Sequence, residues 1–368
     1  MILKDYIKKE AVNLGIDILG FTDTVPFDNL VEILENREKM NYHTEFEEKD
    51  INLRIDPKKL LPEGKSIIVA GLSYNLDNKI RKNKEIKGML SRSSWGKDYH
   101  DVLYEKLKSL TDSIKKNKNF KYKIYVDTGP LIDREVAKRS GIGWYGKNCS
   151  IINDYYGSFI FLGYIITDLD IKKDDEVKQK CGDCRLCIDA CPTKALKENY
   201  KVDASRCISY LTQTKKKIPY ELREKMEAKV YGCDTCQMVC PKNKDVYFGD
   251  TIDFLPKITN GSLDIKEMFA LSNKEFKNKY GHISGSWRGK NILKRNILIL
   301  LGNIKNKDYL NLVKDALKED SEMLREYAAW ALLKIDKELG KELIINQLKK
   351  EKSIKVKKEF TNLLKYFN

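Results

Sequence analysis

The sequence predicts an α/β domain, then a cysteine-rich middle segment, then an all-α repeat. Three observations carry this division. Helical and strand-like periodicities alternate from Met1 to about Asp168. Eight of the nine cysteines fall between Cys181 and Cys240. Beyond Gly281, similar helical segments recur every 31 to 33 residues. The expected boundaries are 1–168, 169–250, a connecting segment 251–280, and 281–368.

In the first domain, "MILKDYIKKEAVNLGI" reads as an amphipathic helix, with Ile2, Leu3, Tyr6, Ile7, Val12 and Leu14 on one broad face. It lacks the continuous apolar core and cleavage site of a signal peptide. Further helices are expected in "FDNLVEILENREKM" and "DVLYEKLKSLTDSIKK". Strands are expected in "KSIIVAGLSY", "YKIYVD", "SIIN" and "SFIFLGYIIT". No apolar run reaches the ~18 residues of a membrane span. A cytoplasmic, non-membrane protein is expected, and there cysteines bind metals or do redox work more often than they form disulfides.

The middle segment carries its own chemistry. Cys181, Cys184, Cys187 and Cys191 form C-x2-C-x2-C-x3-C-P, the bacterial ferredoxin pattern for [4Fe–4S] clusters. A second run repeats only its last three cysteines, Cys233, Cys236 and Cys240, before Pro241; Val230 stands where the first would fall. Two clusters need eight thiolates, and Cys207 in "DASRCISYLT" is assigned as the eighth. Because the fourth cysteine of each run ligates the other cluster in two-cluster ferredoxins, one set is Cys181, Cys184, Cys187 and Cys240. The other is Cys191, Cys207, Cys233 and Cys236. Zinc is the competing reading of paired C-x2-C, but it leaves the x3-C-P endings unexplained. Cys149 is read as a small core residue. The segment is too poor in apolar residues for an ordinary core, so metal ligation would supply its folding energy.

The C-terminal helices "LKRNILILLGNI", "LREYAAWALLKI" and "VKKEFTNLLKYF" align, as do those beginning at Asp308 and Lys341. They suggest a short HEAT-like stack. The chain carries a net charge of +15. Residues 281–368 hold 19 basic and 11 acidic residues. Lysine-rich composition alone can reflect genome bias. The cluster Trp287, Arg288, Lys290, Lys294 and Arg295 points more specifically to phosphate contact.

Upstream of the cysteines, "YVDTGPLIDREVAKRSGIGWYGKN" places Asp127 at a strand end, where α/β proteins bind ligands. A turn or cap carboxylate is the structural alternative. This stretch, "SRSSWGKDYHDVL", "RCISYLT", "YGCDTCQMVCPKNK" and "SGSWRGKNILKRN" together resemble the epoxyqueuosine reductases, from about Arg54 to the C-terminus. The resemblance implies a cobalamin-dependent oxidoreductase that reduces epoxyqueuosine to queuosine at the tRNA wobble position. It implies a corrin domain like that of reductive dehalogenases, with Asp127 as proton donor. Cobalamin contacts are expected from Arg54, Ser91, Ser94, Asp127, Lys147, Asn148, Ser150, Ile151, Ser209 and Tyr210. The family's partners would be a tRNA anticodon stem–loop and a low-potential electron donor, and a monomer is expected.

The D-x-H-x-x-G motif of histidine-ligated cobalamin proteins is absent; "YGHISG" has only its second half. The expected cobalamin is therefore base-off without a histidine ligand. Two positions depart from the family pattern: Asp133 stands where glutamate is usual, and Cys149 where threonine is common. For Asp127 to donate a proton at neutral pH, burial should raise its pKa. The rival readings are a dehalogenase-like reductase of a small molecule and a ferredoxin-type electron carrier.

Overall fold

The structure is a computed structural model that describes residues 3–77, 86–198 and 200–367. Its chain contacts separate two units, which do not follow the expected boundaries. The first takes the described residues of 1–79, 96–207 and 234–256; the second those of 80–95, 208–233 and 257–368. The cysteine-rich segment is thus not a unit of its own. It is shared because it has too few apolar side chains to close a separate core.

The first unit is built on a four-stranded sheet of β1 (Ile18–Asp23), β2 (Ser66–Ser73), β3 (Tyr122–Tyr125) and β4 (Ile160–Thr167). The strand order is β1-β2-β4-β3, and all neighbours are antiparallel. Every residue of β2 is buried, as its unbroken apolar run requires. Period-two alternation sends Ile68, Ala70 and Leu72 to one face and Ile67 and Val69 to the other.

On the first face lie α1 (Leu3–Asn13) and α2 (Tyr99–Lys115). Ile2 lies outside the described residues; Ile7 and Ala11 are the buried part of the expected face. Helix α2 starts at Asp98, whose carboxylate caps the His100 amide. It buries Leu103, Leu107, Leu110 and Ile114 at helical spacing. Each such side chain contributes about 1.5–3 kcal/mol. On the second face α3 (Asp133–Arg139) buries Val136 and Ala137. The expected helix-covered sheet is therefore present.

The second unit contains a three-stranded sheet of Gly88–Leu90, Lys229–Tyr231 and Ser262–Leu263. The aligned C-terminal segments are all helical. Two helices of the first unit, α4 (Leu186–Ala190) and α5 (Thr235–Met238), precede them in the chain. Then come α6 (Lys290–Ile304), α7 (Leu310–Ala316), α8 (Glu322–Ile335), α9 (Lys337–Leu348) and α10 (Ile354–Tyr366). Residues Ile292–Gly302 of α6 are all buried. Gly302 lets α6 meet the fully buried Trp330 of α8, since a Cβ there would sit 2.4 Å from the indole.

Candidate functional site

The four cysteines of the first expected set line one pocket. Cys181 and Cys184 come from a turn in which Cys184 N donates to Cys181 O at 3.2 Å. Gly182 makes that turn with φ +51°, a conformation that costs a side-chain-bearing residue. Helix α4 supplies Cys187, and Cys240 precedes the Pro241–Asn243 turn. All four thiols line the pocket together with Lys147 and Asn148. Burial pushes the Cys187 thiol up to about 11, and the nearby Cys240, Cys181 and Cys184 add to the effect. Burial also raises Cys240. Crowded thiols of this kind favour a bound cation over free thiolates. The ring they form is open: among the described residues, no three His, Cys, Asp or Glu side chains converge to hold a single metal ion.

In the second expected set, Cys191 and Cys236 pack with Cys149, Cys187, Ile188 and Leu196 in a small apolar cluster. Cys207 follows the turn Ala204–Arg206 and donates its amide to Ala204 O at 3.1 Å. Cys233 belongs to the second unit and is half-buried. Cys149 is buried, as expected for a core thiol, with its Sγ 3.4 Å from Tyr200 O.

Asp127 follows β3 in a left-handed conformation, φ +56°. Its Oδ2 accepts the Tyr99 hydroxyl at 2.5 Å and lies 3.6 Å from His100 Nε2. His100 Nδ1 lies 2.6 Å from Asp98 Oδ1. The Tyr99 ring stacks on His100 and on Phe161, each at 4.1 Å. Burial lowers the proton affinity of His100, but hydrogen bonds to Asp127 and Asp98 outweigh it and push its pKa to about 9.

The expectation of a raised Asp127 pKa is overturned. The side chain is 61% exposed. Desolvation pushes the carboxyl up, but hydrogen bonds from His100 and Tyr99, and the charges of His100 and Arg134, hold it below its usual range. At neutral pH this grouping therefore stores its proton on His100, beside the Asp127 carboxylate. Sequence reasoning missed Tyr99 and His100, although "GKDYHDVL" contains both. The signal was a histidine two residues beyond a helix-capping aspartate.

The other expected cobalamin contacts have varied settings. Arg54 donates to Glu47 at 3.1 Å. Lys147 Nζ donates to Gly182 O at 2.6 Å. Asn148 is buried; its Oδ1 accepts the Ser150 amide, while its Nδ2 has no protein partner. Ile151 is buried in a short ladder opposite Tyr145. In the second unit, Ser91 and Ser93 share a hydroxyl contact at 2.8 Å, and Ser94 Oγ donates to Ser91 O. Ser209 O accepts Gln213 Nε2 at 2.9 Å, and Tyr210 lies on the same short helix, Ile208–Leu211. Ser94 and Ile151 are both buried.

The expected phosphate cluster divides in the same way. Arg295 is fully buried and donates to Leu211 O at 2.8 Å and to Thr214 O. Lys294 is 4% exposed and pairs with Glu319. A phosphate cannot reach side chains committed to interior partners, so both are corrected to structural roles. Lys290 donates to Leu271 O. Trp287 remains 54% exposed, with its Nε1 donating to Gln213 Oε1 at 3.0 Å. Arg288 lies over that indole at 4.7 Å and donates to Gln213 O. Gln213, absent from the expected cluster, organises both.

Residues 180–243 match the model of the 4Fe-4S double cluster binding domain. Together with the pocket, this defines an iron–sulfur oxidoreductase. Residues 54–128, which contain Tyr99, His100 and Asp127, match the family model "Epoxyqueuosine reductase QueG, DUF1730". The chain is 42% identical to epoxyqueuosine reductase of Bacillus subtilis over 364 residues, 97% of this chain and 94% of the relative. It is 33% identical to that of Escherichia coli over 346 residues, 90% and 89% of the two chains. This chain belongs to the epoxyqueuosine reductase family. One related crystal structure holds a tRNA-Tyr epoxyqueuosine-modified stem loop; it matches at TM-score 0.93 and 40% identity, over 99% of this chain and 98% of the other. A Bacillus subtilis structure at TM-score 0.92 and 40% identity, with the same coverage, has its catalytic aspartate loop swung out of the active site.

Proposed function

We propose that this enzyme reduces epoxyqueuosine to queuosine at the wobble position of tRNA. The observation that carries this reading is the Tyr99–His100–Asp127 grouping inside the segment matched by the family model. The reaction breaks both carbon–oxygen bonds of the oxirane and forms a carbon–carbon double bond. It consumes two electrons and two protons and releases water.

The two proposed cysteine sets hold one [4Fe–4S] cluster each and pass electrons singly from a low-potential donor. Cobalamin fits the residues present in one specific respect: the unpartnered buried Nδ2 of Asn148 offers a donor to a polar amide-bearing ligand. Arg54, Lys147, Asn148 and Ser150 would help hold it. When bound, base-off and without a histidine ligand, cobalamin supplies a low-potential metal centre for the reductive step.

Asp127 holds the proton-donating position. Its left-handed backbone aims the carboxyl at the Tyr99 hydroxyl and the His100 ring. His100 lends it a proton, and Asp127 passes that proton to the departing oxygen, which is a poor leaving group as an alkoxide. Asp98 fixes the imidazole by binding Nδ1 and the His100 amide together.

The HEAT-like C-terminal helices bind the anticodon stem–loop of the tRNA, with Trp287 and Arg288 as the contact residues and Lys290 beside them. The wobble base enters the pocket unstacked. The enzyme acts as a cytoplasmic monomer. Among the described residues no helix is long and apolar enough to cross a membrane. Anaerobic enzyme with reductant should convert epoxyqueuosine-tRNA to queuosine-tRNA, read by mass spectrometry of nucleosides. Asp127→Asn should abolish conversion while keeping iron and corrinoid; full conversion by that variant would remove Asp127 from the reaction.

A further inference from the structure

The short helix α5 brings together one thiol of each expected set. Cys236 lies on it, and Cys240 follows two residues beyond its end. Between them Gln237 is buried. Its Nε2 donates to Ser158 O at 2.8 Å, with Ser158 Oγ at 3.2 Å and the Tyr74 hydroxyl at 3.3 Å. Asn243 ends the turn after Cys240 and takes hold of the same serine. Its Oδ1 accepts the Ser158 amide at 2.7 Å. Its Nδ2 donates to Ser158 Oγ at 2.9 Å and to Gln237 O at 2.7 Å. Gln237 O also accepts the Cys240 amide at 3.1 Å.

Ser158 is 3% exposed and leads into β4, so the clamp is anchored to the sheet. Gly157 makes room for it. A Cβ there would sit 2.1 Å from Asn243 Oδ1, and its φ of +67° disfavours any side chain. The sheet end of the clamp is shared with the Asp127 site. Tyr74 packs on Phe161 at 4.3 Å, the ring on which Tyr99 stacks. Both gripping side chains are amides, which donate and accept without charge. A carboxylate at Gln237 would turn an acceptor toward Ser158 O.

We propose that Gln237 and Asn243 are positioning residues for electron transfer between the two clusters. Acting through Ser158, they register Cys236 and Cys240, one ligand of each proposed set, on the sheet that also seats the proton-donating group. The assignment rests on the two-cluster reading above. Hydrogen bonds behind the ligands orient a metal site, and losing one typically costs about 10- to 100-fold in affinity or activity. Electron exchange between two centres falls steeply with their separation, so a displaced Cys236 or Cys240 is felt first there.

The test uses full-length, anaerobically reconstituted enzyme as wild type, Gln237→Met and Ser158→Ala. Gln237→Met keeps the side chain's length and removes its donors. Ser158→Ala removes only a hydroxyl and keeps the backbone groups that Gln237 and Asn243 bind. Iron and labile sulfide should stay at about eight per chain in both variants. Electron paramagnetic resonance of the fully reduced wild type should show the split signal of two interacting clusters. That splitting should change in Gln237→Met at equal total spin. In stopped-flow reduction by the methyl viologen radical, the intramolecular phase should slow about tenfold in Gln237→Met, and less in Ser158→Ala.

Gln237→Met with full iron, the wild-type splitting and the wild-type intramolecular rate would overturn the proposal and leave the clamp a structural contact. If Gln237→Met does not retain iron, Ser158→Ala decides by the same two readings: altered splitting and rate support the proposal, and unchanged ones overturn it. Wild-type protein that reconstitutes with zinc, or with only about four irons per chain, would overturn the two-cluster reading itself, a result distinct from any of these.

Discussion

His100 Nε2 stands 3.6 Å from Asp127 Oδ2. The imidazole is charged at neutral pH because Asp127 and Asp98 outweigh its desolvation and carry its pKa to about 9. This folded value lies above the ordinary 6.5, so the stabilisation is fully present below about pH 6.5 and is lost as pH rises through 9. Asp133, raised from the ordinary carboxylate range to about 8, adds a penalty that grows as pH rises to 8 and is constant above it. The melting temperature of the reconstituted enzyme should therefore fall between pH 7 and 9.5. His100→Gln should flatten that slope. Thermal melts across this range check it, and a level profile in the wild type would contradict the pairing.

Tyr99 contributes one hydrogen bond to the same carboxylate, at 2.5 Å. Its ring is held independently by stacking on Phe161 with an interplanar angle of 3°. Tyr99→Phe should therefore keep the geometry and remove only the donor. Losing a hydrogen bond to a charged group costs about 1.5–3 kcal/mol. The single-turnover rate should drop roughly 10- to 100-fold by the corresponding conversion, with tRNA affinity unchanged.

The helix-covered sheet was legible because period-two and helical spacings are strong in β2 and α2, where one face of each is buried. The double-cluster segment was legible because cluster chemistry demands tight local spacing of cysteines. What the sequence concealed were environments set by tertiary packing. Arg295 and Lys294 read as a basic surface because they are charged and follow Arg288 and Lys290 within a few residues. Yet they lie on the buried stretch of α6, where the carbonyls of Leu211 and Thr214 and the Asn296 Oδ1 accept the Arg295 guanidinium. The Asp127 environment was misread for a similar reason: the donors that lower its pKa lie 27 and 28 positions earlier in the chain.

Cys240 joins Cys181, Cys184 and Cys187 around one pocket although it is more than 50 residues from them in sequence. Cys240→Ser should therefore lose the cluster of the first run rather than that of the second. Iron and labile sulfide should fall from about eight to about four per chain. Cys149→Ser should leave both unchanged, because that thiol lies 3.4 Å from Tyr200 O in an apolar setting. Metal and sulfide analysis of anaerobically reconstituted protein separates the two outcomes. Loss of iron in Cys149→Ser would make it a ligand.

Arg288 and Arg295 are seven residues apart and should fail in opposite ways. Arg295 is buried, with its pKa lowered to about 10 by desolvation, and it satisfies carbonyls that no water can reach. Arg295→Met would leave those carbonyls unpaired, each costing about 1–3 kcal/mol. Stability should therefore drop, while the salt dependence of tRNA binding by the folded fraction stays as in the wild type. Arg288 sits over the exposed Trp287 ring. Arg288→Ala should lower the melting temperature less than Arg295→Met, since it removes one part-buried hydrogen bond, to Gln213 O, where Arg295→Met unpairs two buried carbonyls. It should weaken tRNA binding and reduce the slope of log affinity against log salt by about one. Binding isotherms at several salt concentrations, paired with thermal melts, test both variants. A changed slope in folded Arg295→Met, or an unchanged slope in Arg288→Ala, would reassign the contact.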